Sequence, residues 1–389
     1  MTLPAPTDAE RTRSDALTAR IHAEMALAGG WIPFSRYMAL VLYEPGLGYY
    51  ACGERIFGAG GDFVTAPELT PLFGRTLARA LAPTIRDTGG DVLELGAGSG
   101  KLAVDLLGEL ARLDALPDRY RILEVSAVLA ARQRDRIAAE LPHLAERCEW
   151  SSELPHGLRG VIVGNEVLDA LPVEVVHWGE AGPVLRGVVA DGAGFAWAER
   201  AMTERGGAGA DAALLARVNA LGLPPGYVSE LCPALPGLIA SLGERLEAGA
   251  MLFVDYGFPR AEYYHPQRAM GTLRAHWRHH ALDDPFFLPG LADLTAHVDF
   301  SAVAEAGVAA GLTLAGYASQ AGFLIDAGIA ELLGALDPTD VASYLPQANA
   351  LNTLISPAEM GELFKVIAFS KAITAPLPGF ARGDRRHRL

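Results

Sequence analysis

The chain has 389 residues, of which 50% are hydrophobic and 20% charged, with a formal net charge of −14. That acidic balance disfavours a nucleic-acid partner, whose phosphates need a basic surface. No stretch reaches the ~18–20 uninterrupted apolar residues that cross a bilayer, so no membrane insertion is expected. Cys52, Cys148 and Cys232 are too few and too widely spaced for a disulfide framework or a zinc knuckle. Residues 1–30 lack the basic-then-apolar order of a signal peptide, and Asp8, Glu10 and Asp15 argue against a transit peptide, so the expected location is cytoplasmic.

The first ninety residues read as helical and irregular. Leu17, Ile21 and Met25 share one helix face, which Gly29-Gly30 stops. Tyr43–Tyr50 and Gly58–Glu68 are glycine-rich loops carrying aromatics, a composition that often marks function. Thr70-Pro71 supplies an N-cap and a proline at the first helical position, predicting a helix through about Leu81. From Asp91 strand and helix alternate, which predicts a mainly parallel sheet covered on both faces. The predicted strands are Val92–Leu95, Arg121–Val125, Cys148–Ser151, Val161–Gly164 and Met251–Asp255, with Leu312–Ala318 and Lys365–Ser370 completing the sheet. Val173–Trp178, Leu185–Ala190 and Phe195–Arg200 read as a small antiparallel insert. Gly206–Gly209 then leads into helical material ending near Gly249. Phe258–Ala310 forms a second insert, rich in Tyr, His, Pro and Arg. Ser356-Pro357-Ala358-Glu359 reads as a capping box, and the basic tail Arg382–Arg388 as a solvated end.

The most informative run is Val92-Leu93-Glu94-Leu95-Gly96-Ala97-Gly98-Ser99-Gly100. A short apolar strand holds an acidic residue, glycines follow at alternate positions, and Lys101–Leu113 repeats leucines at 102, 106, 110 and 113 on one helical face. A strand, a glycine turn and a helix N-terminus leave bare backbone N–H groups where a cofactor can approach closely. The dinucleotide fingerprint needs a third glycine where Lys101 stands, and a P-loop needs a hydroxyl where Leu102 stands. What remains, E-x-G-x-G-x-G, resembles motif I of class I S-adenosylmethionine methyltransferases. Glu124, closing the next predicted strand, is suited to accept hydrogen bonds from a ribose diol.

The fourth strand runs into Asn165-Glu166-Val167-Leu168-Asp169-Ala170-Leu171-Pro172. With the usual strand order of a doubly wound sheet, Asn165 and Glu166 face the cofactor across the switch point. Glu166 and Asp169 are three apart and would share one face if a helical turn starts there. A carboxylate pair suits the planar guanidinium group, and a helix cap is the plain alternative; spacing leaves both open. His276 and His280 stand at i, i+4, a spacing that binds metal on a helix. Adjacent arginines oppose a cation and no carboxylate or cysteine stands at a companion spacing, so this segment reads as a hydrogen-bonded or solvated loop and no metal is expected. Asp293–Phe300 could link His297 to a carboxylate that fixes its tautomer.

Taken together, Gly61–Gly74, Glu94–Asp105, Glu124–Gln133, Asn165–Pro172, Asp255-Tyr256-Gly257, Gly271-Thr272-Leu273, Asp293–Phe300 and Leu363–Val366 resemble the MidA-type methyltransferases, which include mitochondrial respiratory complex I assembly factors. The resemblance implies an α/β fold: a Rossmann-like seven-stranded class I methyltransferase core with a helical N-terminal region and inserted α+β segments. It implies S-adenosyl-L-methionine as methyl donor, leaving S-adenosyl-L-homocysteine. The cofactor-binding candidates are Thr65, Glu94, Gly96, Ala97, Gly98, Gly100, Glu124 and Ser126, with Glu68 in the same signature loop as Thr65. The catalytic candidates are Asn165, Glu166 and Asp169. Gly164 and Val167-Leu168 stand where relatives often carry alanine and aromatics, a departure that bears on pocket shape.

The expected division is an N-terminal extension over residues 1–90 covering the cofactor site, and a core over 91–389 with inserts at about 173–248 and 258–310. The Tyr-rich loop and the inserts are expected to form a groove whose acidic residues attract a cationic side chain. The expected activity is protein arginine N-methylation, with a protein presenting an arginine as partner and homodimerisation open. The alternatives are a small-molecule methyltransferase and an assembly factor that binds the cofactor without catalysis.

Overall fold

The computed structural model describes residues 3–52, 65–202 and 210–389; the expected loop over 58–64 and the turn over 206–209 lie outside them. Seven strands build the larger sheet: β1 (Asp91–Leu95), β2 (Tyr120–Leu123), β3 (Cys148–Ser151), β4 (Leu158–Asn165), β5 (Leu246–Phe258), β6 (Thr313–Ser319) and β7 (Phe364–Lys371). Their order is β6-β7-β5-β4-β1-β2-β3, and the two-residue strand Val298–Asp299 pairs with the end of β5. β1 to β5 run parallel, while β7 is antiparallel to both β5 and β6. The chain moves outward from β1 to β3, then returns to place β4 against the other side of β1. Their carboxyl ends therefore border the switch-point crevice. This is the Rossmann-like core expected from the sequence.

Burial on both faces explains the composition of the central strands. Val161, Ile162 and Val163 of β4 and Ala250 to Val254 of β5 are all buried, so consecutive side chains pointing to opposite faces are equally apolar. The helix Pro71–Thr88 starts as expected, with Thr70 Oγ1 accepting from the Leu72 amide at 3.1 Å. It outruns the expected end at Leu81, accommodating Pro83, and stops at Gly89 in the left-handed conformation.

The chain divides into two compact units. One comprises Met1–Ile56, Asp169–Gly237 and Ala261–His297; the other comprises Phe57–Leu168, Leu238–Arg260 and Val298–Leu389 and contains the large sheet. Within the first unit, Trp31–Pro33, Glu174–Gly179, Gly182–Asp191, Gly194–Ala201 and Tyr227–Leu231 form an antiparallel sheet. The last of these corrects the expectation of continuous helix to Gly249. Pro224-Pro225-Gly226 interrupts that segment, and all five residues after it are buried against Glu174–Trp178. The histidine segment is also not helical. Arg274–Trp277 and His280–Leu282 pair as a hairpin, with Arg278 and His279 at positive φ in its two-residue turn. His276 and His280 therefore occupy opposing strands rather than one helical face.

Two terminal expectations need correction. Ser356 closes the helix Val341–Ile355, its amide bonding Asn352 O at 2.7 Å, so the expected capping box does not open a helix there. The basic tail is docked at Arg385, which bonds Tyr317 O of β6 through its amide at 2.6 Å and Glu362 through its guanidinium at 2.7 and 3.0 Å, while Arg382, Arg386 and Arg388 stay exposed. Just before it, Phe380 is buried over Gly316 and 5.1 Å from the Phe323 ring. The tail thereby covers the edge of β6, a place where an open strand invites association. Replacing Phe380 with Ala should cost about 3 kcal/mol in urea unfolding; a loss below about 1 kcal/mol would show that the tail does not hold the edge.

Candidate cofactor and active site

Three glycines turn the chain from β1 into the helix Lys101–Arg112. Gly96, Gly98 and Gly100 have φ of 58°, 52° and 81°, so all three occupy left-handed backbone that a Cβ strains by roughly 1–2 kcal/mol each. The alternate spacing seen in the sequence is thus a conformational requirement. The bend is open at its tip, where Gly96 is exposed and an added Cβ would meet only Val167, at 3.5 Å. At Gly100 a Cβ would stand 3.2 Å from Gln133 Cα, so the helix Ala127–Glu140 packs directly on the bend. Ala97 is buried in the hydrophobic core, which leaves its backbone, not its methyl group, available to a ligand.

Glu124 stands just beyond β2, beside this bend. Its Oε1 accepts from the Ser126 amide at 2.8 Å and its Oε2 from Gln133 Nε2 at 3.0 Å. Burial pushes its carboxyl above the ordinary value, against these hydrogen bonds. Ser126 serves mainly as a helix cap, its hydroxyl accepting from Leu129 N at 3.4 Å. Gln133 received no role from the sequence, yet it is fully buried and ties the bend to Glu124. Nε2 also donates to Gly98 O at 2.9 Å, and Oε1 accepts from Trp150 Nε1 at 2.9 Å. Its position on a helix after the acidic residue was the only available signal.

The signature loop reaches the same bend. Thr65 is half-buried at the N-cap position of the short helix Ala66–Leu69. Glu68 accepts from Ser99 Oγ and, at 3.1 Å, from Arg136 Nη1, which also bonds Ser99 Oγ at 2.8 Å. Ser99 and Arg136 were likewise missed. Arg136 carries no pattern in the sequence that points to Glu68, because their contact joins residues 68 positions apart.

At the end of β4, Asn165 Nδ2 donates to Glu166 Oε1 at 3.1 Å, while the buried Asn165 Oδ1 has no hydrogen-bond partner among the described residues. A buried acceptor left open costs roughly 1–3 kcal/mol, so it is suited to a ligand N–H. Glu166 has φ of 53°, an uncommon conformation for a residue with a side chain. The expected helical face shared by Glu166 and Asp169 does not form: left-handed Glu166 ends β4, and residues 167–172 follow as bends and turns. Asp169 falls in the first compact unit, where its carbonyl accepts from Ala296 N at 3.1 Å. Nearby, Tyr43 donates to Ala170 O at 2.9 Å and Tyr50 to the Asp293 carboxylate at 3.0 and 3.1 Å. Burial, then the charges of Asp293 and Asp169, raise both phenols. His297 is tied through its amide to Thr272 Oγ1 at 3.1 Å. Among the described residues, no group of three or more His, Cys, Asp or Glu side chains is arranged to hold a metal ion.

Glu94 lies in β1 beneath the bend, buried, with its Oε2 accepting from Tyr120 Oη at 2.6 Å. Burial, partly offset by that hydrogen bond, pushes its carboxyl from 4.5 up to about 7. The folded chain therefore keeps a proton that the unfolded chain releases between these values, and stability falls as pH rises through that window. The loss is about 3 kcal/mol. Glu94→Gln should remove this slope, so its stability relative to wild type should climb from pH 5 to pH 8 in urea unfolding; a difference independent of pH would contradict the assignment.

The bend, the Glu124 carboxylate and the open Asn165 acceptor fit a cofactor with a carboxylate end, a ribose and an amino group. Comparison with known proteins agrees. Residues 76–318 match a family of S-adenosyl-L-methionine-dependent methyltransferases. A superfamily member from Burkholderia thailandensis, solved bound to S-adenosyl-homocysteine, is 51% identical with a TM-score of 0.95, covering 100% of both chains. The Drosophila melanogaster protein arginine methyltransferase NDUFAF7 homolog, mitochondrial, is 30% identical over 91% of this chain and 86% of its own length. The Homo sapiens protein arginine methyltransferase NDUFAF7, mitochondrial, is 28% identical over 87% of this chain and 80% of its own length. The chain belongs to the MidA-type family of S-adenosyl-L-methionine-dependent methyltransferases.

Proposed function

We propose that the chain methylates an arginine side chain of a protein substrate. The reading rests on one observation above the rest: a carboxylate, Glu166, held in left-handed backbone at the end of β4, the strand next to the glycine bend of β1. The relatives named protein arginine methyltransferases support it, since they align over most of this chain.

The chemistry explains why a carboxylate belongs there. A guanidinium has a pKa above ~12 and no free lone pair, so it is a poor nucleophile until its charge is drawn to one side. Glu166 accepts two guanidinium N–H bonds and concentrates the positive charge on the nitrogens it grips. The third nitrogen keeps more of its electron pair and is oriented for attack. Asn165 Oδ1 accepts a ligand N–H at the same edge. The Glu166 carboxylate takes the proton that the methylated guanidinium loses. Glu68, in the short helix that Thr65 precedes, holds Ser99 of the bend, while Glu94 supports it from below. Glu124 takes the ribose hydroxyls, and the amides of Ala97, Gly98 and Ser99, between the bonded amides of Gly96 and Gly100, meet the carboxylate end of the cofactor. Once bound, S-adenosylmethionine supplies an electrophilic methyl group whose bond to sulfur breaks as the arginine nitrogen takes it.

Glu166→Gln keeps size and loses charge. It should lower transfer of radiolabelled methyl to protein, in lysate from cells lacking this chain, by more than about 100-fold. Affinity for S-adenosylhomocysteine should stay within about threefold, because Glu166 acts on the substrate. Mass spectrometry of the labelled fraction should find methylarginine. Unchanged transfer by the variant, or label on another residue type, would overturn the reading.

A further inference from the structure

Asp255 sits at the carboxyl end of β5 with none of its surface exposed. It is a buried carboxylate with no role in the chemistry above, and backbone amides gather at both its oxygens. Oδ2 accepts from the amides of Val167 at 3.1 Å and Leu168 at 2.8 Å, and Oδ1 from the Tyr256 amide at 2.9 Å. Val167 and Leu168 are the two residues that follow Glu166. On its other side, the Glu166 amide bonds Val254 O at 2.9 Å, the carbonyl immediately before Asp255. The end of β5 thus holds the Glu166 turn at three successive amides.

Such anchoring has a physical purpose at this position. A residue with a Cβ prefers to leave left-handed backbone by roughly 1–2 kcal/mol, so the turn needs something to oppose its relaxation. Charge-assisted hydrogen bonds from backbone amides to a buried carboxylate are among the stronger available, at about 1.5–3 kcal/mol each. Two of them outweigh the strain. A neutral amide in the same place would offer one good acceptor and one donor that faces another donor. The turn would then relax toward ordinary backbone and swing the Glu166 carboxyl away from the edge it shares with the glycine bend.

We infer that Asp255 is the positioning residue of the transfer step: it fixes the direction of the Glu166 carboxylate without touching substrate or cofactor. The inference rests on the proposed role of Glu166 and names the group that makes that role possible.

A double-mutant cycle tests it. Asp255→Asn should lower labelled methyl transfer to the same lysate by about 30-fold while leaving S-adenosylhomocysteine affinity within about threefold. Adding Glu166→Gln to Asp255→Asn should slow transfer no further than Glu166→Gln does alone, since the two act as one unit. Hydrogen exchange should show the Val167 and Leu168 amides losing protection in Asp255→Asn, with amides of β1 unchanged. Should Asp255→Asn fail to fold, Asp255→Ser, which keeps one acceptor in a smaller side chain, takes its place with the same expectations. Transfer within about threefold of wild type, or a double mutant slower by the product of the single effects, would overturn the inference. A Glu166→Gln variant as active as wild type would instead bring down the substrate reading, and the two failures leave different patterns across the cycle.

Discussion

The site depends on a backbone reversal that few sequences can make. Between β1 and the helix Lys101–Arg112 the chain takes left-handed φ at three alternate residues, and only glycine accepts that without strain. The reversal leaves Gly96 exposed at the tip while Ala97 anchors its middle in the core. It is then braced from three directions. Gln133 holds Gly98 O from the neighbouring helix, Glu68 and Arg136 hold Ser99, and the Gly96 amide bonds Leu123 O at the end of β2. A flexible glycine loop would have to be ordered by its ligand at an entropic cost; a braced one is ready to bind.

Buried acids give the same region its chemical character. Glu94, Glu124 and Asp255 each lie at or near the carboxyl edge of the sheet, but their surroundings assign them different work. Glu94 meets a phenol and holds its proton up to about 7. Glu124 is held by one backbone and one side-chain donor and keeps an aspect toward the bend. Asp255 accepts from three backbone amides. Residue type alone would treat the three as equivalent; local donors and exposure separate a proton holder, a half-buried acceptor beside the bend and a structural anchor.

Much of this was legible in the sequence because it rests on local rules. The seven core strands fall where apolar runs end in turn residues, and the glycine spacing announces the bend. What escaped prediction depends on contacts between distant segments. Gln133, Arg136 and Asp255 became visible only when folding brought them to residues 35, 68 and 88 positions away. His276–His280 reads as a loop, and the hairpin that forms there depends on pairing of Arg274–Trp277 with His280–Leu282, which spacing does not announce. Tyr227–Leu231 was read as helix although Pro224-Pro225-Gly226 signalled a break and a β-favouring run followed. The docked tail reflects tertiary contacts with β6 and Glu362, which composition does not record.

The assembly of cofactor groups around one braced turn is best tested by titration calorimetry. S-adenosylhomocysteine added to the wild-type chain should bind one site at roughly micromolar strength, and Gln133→Leu should weaken it about tenfold by releasing both Gly98 and Glu124. Heat absent at ~1 mM ligand, or equal affinity in the two proteins, would contradict this account of how the chain holds its methyl donor.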